Sequence, residues 1–418
     1  MGATGRIALN NTFTHSGDNE AMHLAGFNDA FNETLDITRL TFTERGVRSH
    51  HLTGQHLVAE RHTFDWSATY SHVSRREPDR SDLVYQTTID SITGESHPYA
   101  WYGASRSATK TFSDVQESGY EGGINYRHSV GSAARPAALK VGAYAKVTDR
   151  DADTRAYDIL NVGGLSDAQR AQPAEVIFDG TYAQDGRLFL AANAALGRYR
   201  AADRLMAGYV QLELTVSDRW RLIGGARVEG ARLEVTSTTF ELGDTATVLR
   251  NTDVLPALAL TWRPRETHNV RLSASQTLSR PEYRELSPTT YFDILGGQRL
   301  FGNVELKRAL VRNFDLRWEW YPSAGQVVSI AAFAKRFERP IERVLVQTSG
   351  ENAPDATFVN ARGAENFGVE LEVRHHLGVV ASALIPFTLF ANTTLMNSDI
   401  RAGGDSLSSL TNERRPMV

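Results

Sequence analysis

The sequence predicts an all-β, antiparallel transmembrane barrel, and three observations predict it. Apolar and polar residues alternate with a period of two along many segments, the connections between segments alternate between short and long, and several segments exceed the usual strand length of soluble sheets. A period of two places alternate side chains on opposite faces of a strand. One face is therefore apolar while the other is polar and often charged. A lipid-facing wall around a wet lumen meets that requirement, and so does an ordinary β-sandwich; turn lengths separate the two.

About thirteen strands follow in chain order. The first four are placed near 5–15, 38–58, 63–76 and 107–130. The fifth, 138–152, contains Leu139, Val141, Ala143, Ala145 and Val147 alternating with Lys140, Gly142, Tyr144 and Lys146. The sixth, 203–216, sets Val210, Leu212, Leu214 and Val216 against Gln211, Glu213 and Thr215. Strands near 219–236, 252–264 and 268–280 come next. The tenth, 309–321, alternates Phe314, Leu316, Trp318 and Trp320 with Asp315, Arg317 and Glu319, and 326–338 follows it. In 364–377, Phe367, Val369, Leu371 and Val373 interleave with Glu370, Glu372 and Arg374, and the last strand is 384–399.

The connections at 59–62, 131–137, 217–218, 265–267, 322–325 and 378–383 are short and carry turn chemistry, as in Ser217-Asp218 and Pro322-Ser323-Ala324-Gly325. Those near 16–37, 77–106, 153–202, 237–251, 281–308 and 339–363 are expected to be long and irregular. Short turns at one end and long loops at the other are how outer-membrane barrels are built, whereas Greek-key crossovers would mix lengths at both ends. Trp66, Trp220, Trp262 and Tyr321 lie close to short turns and fit an interfacial aromatic girdle, or alternatively a sandwich core. Trp318, Trp320, Phe367 and Leu371 would face acyl chains; Glu213, Arg227, Glu229, Arg317, Glu319, Glu370 and Arg374 would line the lumen.

Composition excludes several classes of function. The 418 residues contain no cysteine, which removes disulfide frameworks, cysteine-ligated zinc and cysteine nucleophiles. A net charge of −4 gives no electrostatic footprint for nucleic acid. Mean hydropathy is −0.34, as expected when only alternate residues meet lipid. His50-His51 and His375-His376 are adjacent, so on strands their side chains diverge and cannot grip one metal. Asp149, Asp151 and Asp153 share one strand face, without the glycine turn or bidentate glutamate of a calcium loop. No nucleophile–base pair can be assembled, so neither an enzyme, a metal site nor a cofactor is expected. No linker or composition break divides the chain, and 1–418 reads as one barrel domain.

Four motifs carry a family resemblance: RLSASQTLSRPEYRELSP (271–288), FGNVELKRALVRNFDLRWEWYPSAGQVVSIAAFAKRFERPIE (301–342), FVNARGAENFGVELEVRHHLG (358–378) and LTNERRPM (410–417). Together they resemble the C-terminal β-barrel of TonB-dependent outer-membrane receptors, in a subgroup common in Caulobacter-like proteobacteria. In that family a strand ending in Ser/Thr-Arg-Pro leads into a long loop, as Ser279-Arg280-Pro281 does here. A Gly-Asn-Pro-x-Leu-Lys-Pro segment follows; this chain has Gly302-Asn303-Val304-Glu305-Leu306-Lys307-Arg308, lacking both prolines.

The resemblance implies barrels of about twenty-two strands filled by an N-terminal plug that contacts the energy-transducing partner. Nothing in the chain reads as a plug or as a signal peptide, and further strands would be needed after Arg415-Pro416-Met417-Val418. A partial barrel, incomplete at both ends, is therefore expected. The implied function is TonB-dependent uptake of a scarce ligand such as a siderophore or oligosaccharide across the Gram-negative outer membrane. A passive porin or adhesin-like barrel and a soluble β-rich carbohydrate-binding protein stay open. The partners expected are outer-membrane lipid, the TonB complex through the plug, and a small-molecule or oligosaccharide ligand, with no nucleic acid. Ligand contacts would come from the long loops. Tyr99, Trp101 and Tyr102 could stack on sugars or planar groups, or pack within their own loop. In the loop after Arg280, that arginine with Tyr283 and Arg284 could clamp carboxylates or phosphates, or pair with Glu282 and Glu285. The 153–202 loop, with Tyr157, Phe178, Tyr182 and Tyr199, could fold over the mouth.

Overall fold

Alternation dictates strands, and all of the expected ones are present in the computed structural model. It describes residues 5–28, 33–87, 99–103, 107–193, 197–239, 243–292, 299–346, 355–379 and 381–401. The last motif, at 410–417, lies outside the described residues.

The chain begins with β1 (Gly5–Asn28), β2 (Glu33–Val58) and β3 (His62–Thr87), followed by the short β4 (Ala100–Trp101). β5 (Ala108–Gly131) and β6 (Pro136–Asn161) come next. Three single-turn helices, α1 (Asp167–Arg170), α2 (Ala174–Ile177) and α3 (Thr181–Gln184), precede β7 (Leu188–Ala192). β8 (Arg198–Ser217), β9 (Trp220–Thr239), β10 (Gly243–Arg265) and β11 (His268–Ser279) form successive hairpins. α4 (Tyr283–Leu286), β12 (Thr290–Phe292) and β13 (Arg299–Phe301) occupy the connection to β14 (Ala309–Trp320). After β15 (Val327–Glu338), β16 (Ile341–Val346) and β17 (Asp355–Asn360) lead to β18 (Gly363–His376) and β19 (Thr388–Arg401).

The main sheet has 15 strands in the order β1-β2-β3-β5-β6-β8-β9-β10-β11-β14-β15-β18-β19, with β4 on β3 and β7 on β6. Consecutive long strands are neighbours throughout and every pairing is antiparallel. Among the described residues, β1 and β19 each pair on one side only. A second sheet of 4 strands, β12-β13-β17-β16, contains one parallel pairing, between β13 and β17.

Burial on the main sheet is the reverse of that in a soluble protein. Val254 and Phe367, on the apolar face, are 56% and 55% exposed, while Asp253 and Glu319, on the polar face, are 4% and 6% exposed. Trp320 and Leu371 are exposed on the apolar side as expected. A sandwich would bury its apolar face; here that face is bare, and a lipid surround is the environment that matches it. The polar side is called the inner face below. Near the short turns Trp66, Trp220 and Trp262 line the apolar side, whereas Tyr321, one residue beyond the outward Trp320, turns to the polar side beside Glu319. Trp220 and Trp262 are register partners whose rings stack at 5.5 Å. The Trp66 indole lies over Gly54, where a Cβ would come within 2.3 Å of it, and donates from Nε1 to His56 Nε2.

Five of the six short turns match the expectation; at the one expected at 378–383, 3₁₀ turns span Leu377–Val379 and Ser382–Leu384, and the last strand starts at Thr388 instead of 384. In the β2–β3 turn Ala59 and Glu60 take positive φ of 51° and 58°, which suits the right-handed twist of a hairpin but strains residues with a Cβ. The long connections need correction. Residues 16–28 pair with 33–45, and 237–239 with 243–245, as continuous ladders rather than irregular loops: Asn28 pairs with Glu33, and Thr239 with Gly243. β2, β3 and β6 each have 26 residues. About 9–11 residues cross a bilayer, so these strands project far beyond it. Both faces are then wet, alternation has no physical cause and the period-two signal disappears while the hydrogen-bond ladder continues. The short strands and helices inside 153–202, 281–308 and 339–363 also lack any periodic signal.

Two outcomes follow. Leu258→Arg, on the exposed apolar face, should lower folding stability in lipid vesicles by about 2–4 kcal/mol, whereas a face in water would tolerate it; unfolding of the vesicle-inserted protein measures the difference. Replacing Ala59 and Glu60 by Asn-Gly should raise stability by about 0.5–1 kcal/mol by removing turn strain, read from the shift in denaturation midpoint.

Candidate functional site on the inner face

Because side chains alternate, residues of like sign can meet directly across strands, and counter-charges must be supplied from diagonal positions. Arg271 and Arg317 are opposed in register on β11 and β14. Glu319 bridges them, accepting Arg317 Nε at 3.1 Å and lying 3.1 Å from Arg271, while Arg317 also donates to Glu372 at 2.7 Å. A second network gathers on Glu213, which accepts Arg127 at 3.1 Å and Gln211 at 3.0 Å, with Arg221 at 3.8 Å. Glu370 lies on the same face and is exposed, and Arg374 sits 5.5 Å from the Phe390 ring centroid. With Arg227 and Glu229, these residues lie on the polar side of the sheet.

Towards the loop end, two buried carboxylates face each other: Glu229 on β9 is in register with Asp253 on β10. Each is neutralised by an arginine from the connection between β11 and β14. Arg280 donates to Glu229 at 2.5 Å, supported by Arg227 at 2.9 Å, and Arg308 pairs with Asp253. The two ends of this connection are thereby pinned onto the inner wall.

Between them, the described residues 281–292 and 299–307 are held by their own chemistry. Glu282 caps α4 reciprocally with Glu285, whose carboxylate accepts the Glu282 N–H at 2.8 Å. Tyr283 reaches β8 and donates to Asp203 at 3.2 Å, with Arg150 over its ring at 4.8 Å; burial and the Asp203 carboxylate raise its hydroxyl pKa. Arg284 lies 3.3 Å from the Tyr291 ring centroid. Leu286 and Leu306 are fully buried against Tyr199, Leu233 and Val235 of the wall. Gly302 passes under α4, donating to the Ser287 carbonyl at 3.0 Å; a Cβ there would come within 2.2 Å of that oxygen. Asn303 donates to the Phe358 carbonyl at 2.9 Å and accepts the Glu305 N–H at 2.9 Å. Asn360 completes the tie, accepting the Lys307 N–H at 2.7 Å.

Arg280, Tyr283 and Arg284 are thus brought together, and each is engaged within the protein. Neither arginine forms the local pairs with Glu282 and Glu285: Glu285 is occupied at the helix N-terminus, and Arg280 turns to Glu229. Asp253, Asp203 and Arg308 belong to the same arrangement and went unnoticed in the sequence. Only Asp253, a carboxylate at an otherwise ordinary strand position, offers a retrospective signal.

The second aromatic group divides. Trp101 is 0% exposed and packs edge-on against Phe178 at 5.1 Å in a cluster with Ala108, Leu165 and Ile177. Its carbonyl accepts Arg170 of α1 at 2.9 Å, and Tyr85 donates to the Gln172 carbonyl at 2.9 Å. Residues 165–182 are therefore a small folded unit seated on β3 and β4. Tyr99 and Tyr102 flank it on the exposed side. Among the described residues no cluster of three potential metal ligands occurs; Asp151 is taken by Arg198 and by Arg200 at 3.0 Å, and Asp153 by Arg155 at 3.4 Å.

A family model described as TonB dependent receptor-like, beta-barrel, matches residues 3–414. Among solved structures, the chain is similar to the siderophore receptor PiuA from Acinetobacter baumannii, with 12% identity and a TM-score of 0.55 over 96% of this chain and 60% of that one. It is also similar to the ferric-catecholate import receptor Fiu from E. coli K12, with 12% identity and a TM-score of 0.48 over 99% of this chain and 63% of that one. The ferric yersiniabactin uptake receptor FyuA from Yersinia pestis gives 11% identity and a TM-score of 0.44 over 94% and 59%. The chain thus spans less than two thirds of the length of these receptors. No curated protein matches it.

Arg308→Ala should destabilise the protein by about 3–5 kcal/mol by leaving Asp253 buried without its cation. Adding Asp253→Asn should recover most of that loss; denaturation midpoints, with amide exchange of 283–306, provide the measurement. Trp101→Ala should cost about 3–5 kcal/mol locally; limited proteolysis should then cut within 165–184 while the main ladder keeps its exchange protection.

Proposed function

The chain belongs to the TonB-dependent receptor-like β-barrel family, and we propose that it is the barrel wall of an outer-membrane receptor that takes up a scarce ligand in an energised, TonB-dependent manner. The observation that carries this reading is the reversed burial of the sheet: an apolar face left bare and a polar face filled with paired charges and inward-folded loops. A wall of that kind suits a lipid exterior and a wet, obstructed interior. Contact with the energy-transducing complex is assigned to a plug domain of the kind that the family carries before its barrel.

The ligand is a siderophore-sized or oligosaccharide-sized solute that meets the loop end first. Tyr99 and Tyr102 offer exposed rings for stacking, backed by the Trp101 cluster. Arg280, Tyr283 and Arg284 act as positioning residues that hold the α4 segment against the wall. The chain carries no catalytic role, in keeping with a family of transporters and not enzymes.

The test is uptake by cells that carry the intact gene, using a panel of labelled ferric siderophores and oligosaccharides, with and without a functional energy transducer. Saturable uptake of one member that is lost without the transducer is expected. Uptake that persists without it would mean a passive pore, and a product recovered folded without detergent would overturn the membrane reading altogether.

A further inference from the structure

On the outer, apolar face a row of arginines marks the upper edge of the bare surface. Arg204 on β8 is in register with Arg232 on β9, and Arg232 with Arg250 on β10. All three are exposed. Directly below them on the same face lie Met206, 75% exposed, Val228 and Val254, and the apolar surface continues down to the stacked Trp220 and Trp262. The row therefore stands where the apolar band gives way to the projecting parts of the strands, at the end away from the short turns.

Like charges opposed on neighbouring strands have Cβ atoms about 4.5–5.5 Å apart and destabilise the sheet unless something neutralises them. The inner face solves that problem with Glu319 between Arg271 and Arg317. The outer row does so only in part. Arg232 pairs with Glu234 at 2.8 Å, and Asp149 lies diagonally from Arg204 across β6 and β8. Among the described residues Arg204 and Arg250 make no ion pair, and Asp151, the next carboxylate upward, is held by Arg198 and Arg200. The same boundary carries another opposed pair, Arg312 and Arg336 on β14 and β15, where Glu365 is 3.7 Å from Arg336 and is shared with Arg401.

We propose that Arg204, Arg232 and Arg250 form a binding site for the phosphorylated headgroup of a membrane lipid, with its acyl chains lying on Met206, Val228 and Val254. The proposal rests on the reading that this face meets lipid. Guanidinium groups bind phosphate oxygens through paired N–H donors, and a phosphate supplies the anionic charge that the row lacks. A free anion would satisfy the arginines alone; a lipid also covers the apolar surface continuous with them. An amphipathic ligand is the chemistry that fits both halves of the site.

The test uses the full chain in detergent micelles, titrated with phosphatidic acid, diacylglycerol and inorganic phosphate, alongside insertion into zwitterionic phosphatidylcholine vesicles. Phosphatidic acid should bind at least about tenfold more weakly to the triple variant Arg204→Gln/Arg232→Gln/Arg250→Gln. Diacylglycerol should bind weakly to both forms, and inorganic phosphate much more weakly than the lipid. The triple lysine variant keeps the charge and should retain intermediate affinity, which separates loss of the site from loss of the fold; Arg312→Gln should leave binding near its original level. Equal phosphatidic acid binding by the glutamine variant would overturn the proposal, as would inorganic phosphate binding as tightly as the lipid. If either result came with normal vesicle insertion, the membrane reading would stand without this site. Failure of the unaltered chain to associate with any vesicle would remove both.

Discussion

Glu229 and Asp253 face each other, buried, across two neighbouring strands, and the arrangement of everything above them depends on how that charge is neutralised. Two carboxylates in this position cannot both stay ionised without cations beside them. The wall supplies Arg227; the remaining cations, Arg280 and Arg308, come from the two ends of one inserted segment. Neutralising the pair therefore folds the segment inward. Once it is there, Leu286 and Leu306 find an apolar seat, and Gly302 can pass beneath α4 because it has no Cβ. Electrostatics fixes the two ends and packing fixes the middle.

The same economy of charge runs through the sheet. Period-two alternation places one set of side chains outside and the other inside, and antiparallel register decides which residues meet. Where arginines meet inside, a carboxylate two residues along one of the two strands intervenes. Where they meet outside, at the edge of the apolar band, the sheet leaves them partly unsatisfied. The two faces thus obey one rule, that opposed charges need a counter-charge within reach, and differ in where it comes from. The strand lengths tell the rest: far longer than a bilayer requires, the first hairpins carry their ladders beyond the lipid and support the small folded unit built on Trp101.

The identity and order of the thirteen long strands and most of the short turns at one end were legible in the sequence, because lipid on one side and water on the other force alternation. So were the inner-face residues Glu213, Arg317 and Glu319, which sit within alternating runs. The strand extensions at 16–28, 33–37, 237–239 and 243–251 were not, since two wet faces erase the pattern without breaking the backbone ladder. The aromatic cluster at 99–102 was visible as a cluster, yet nothing local said that Trp101 turns inward while Tyr99 and Tyr102 stay exposed. For Arg280 and Arg284 the nearby glutamates looked like partners; the true partner of Arg280 lies on a strand 51 residues away.

By itself the sequence determined the all-β architecture, the family and the two faces of the wall, because each of these follows from residues a fixed, short distance apart along the chain. Only the tertiary structure decided the pairing of Asp253 with Arg308, the seat of the α4 segment and the alignment of Arg204, Arg232 and Arg250. Those contacts depend on register between strands and on how far a loop reaches back over the sheet. Neither quantity is encoded in any local spacing; both are set by the free energy of satisfying buried charges and covering apolar surface all at once.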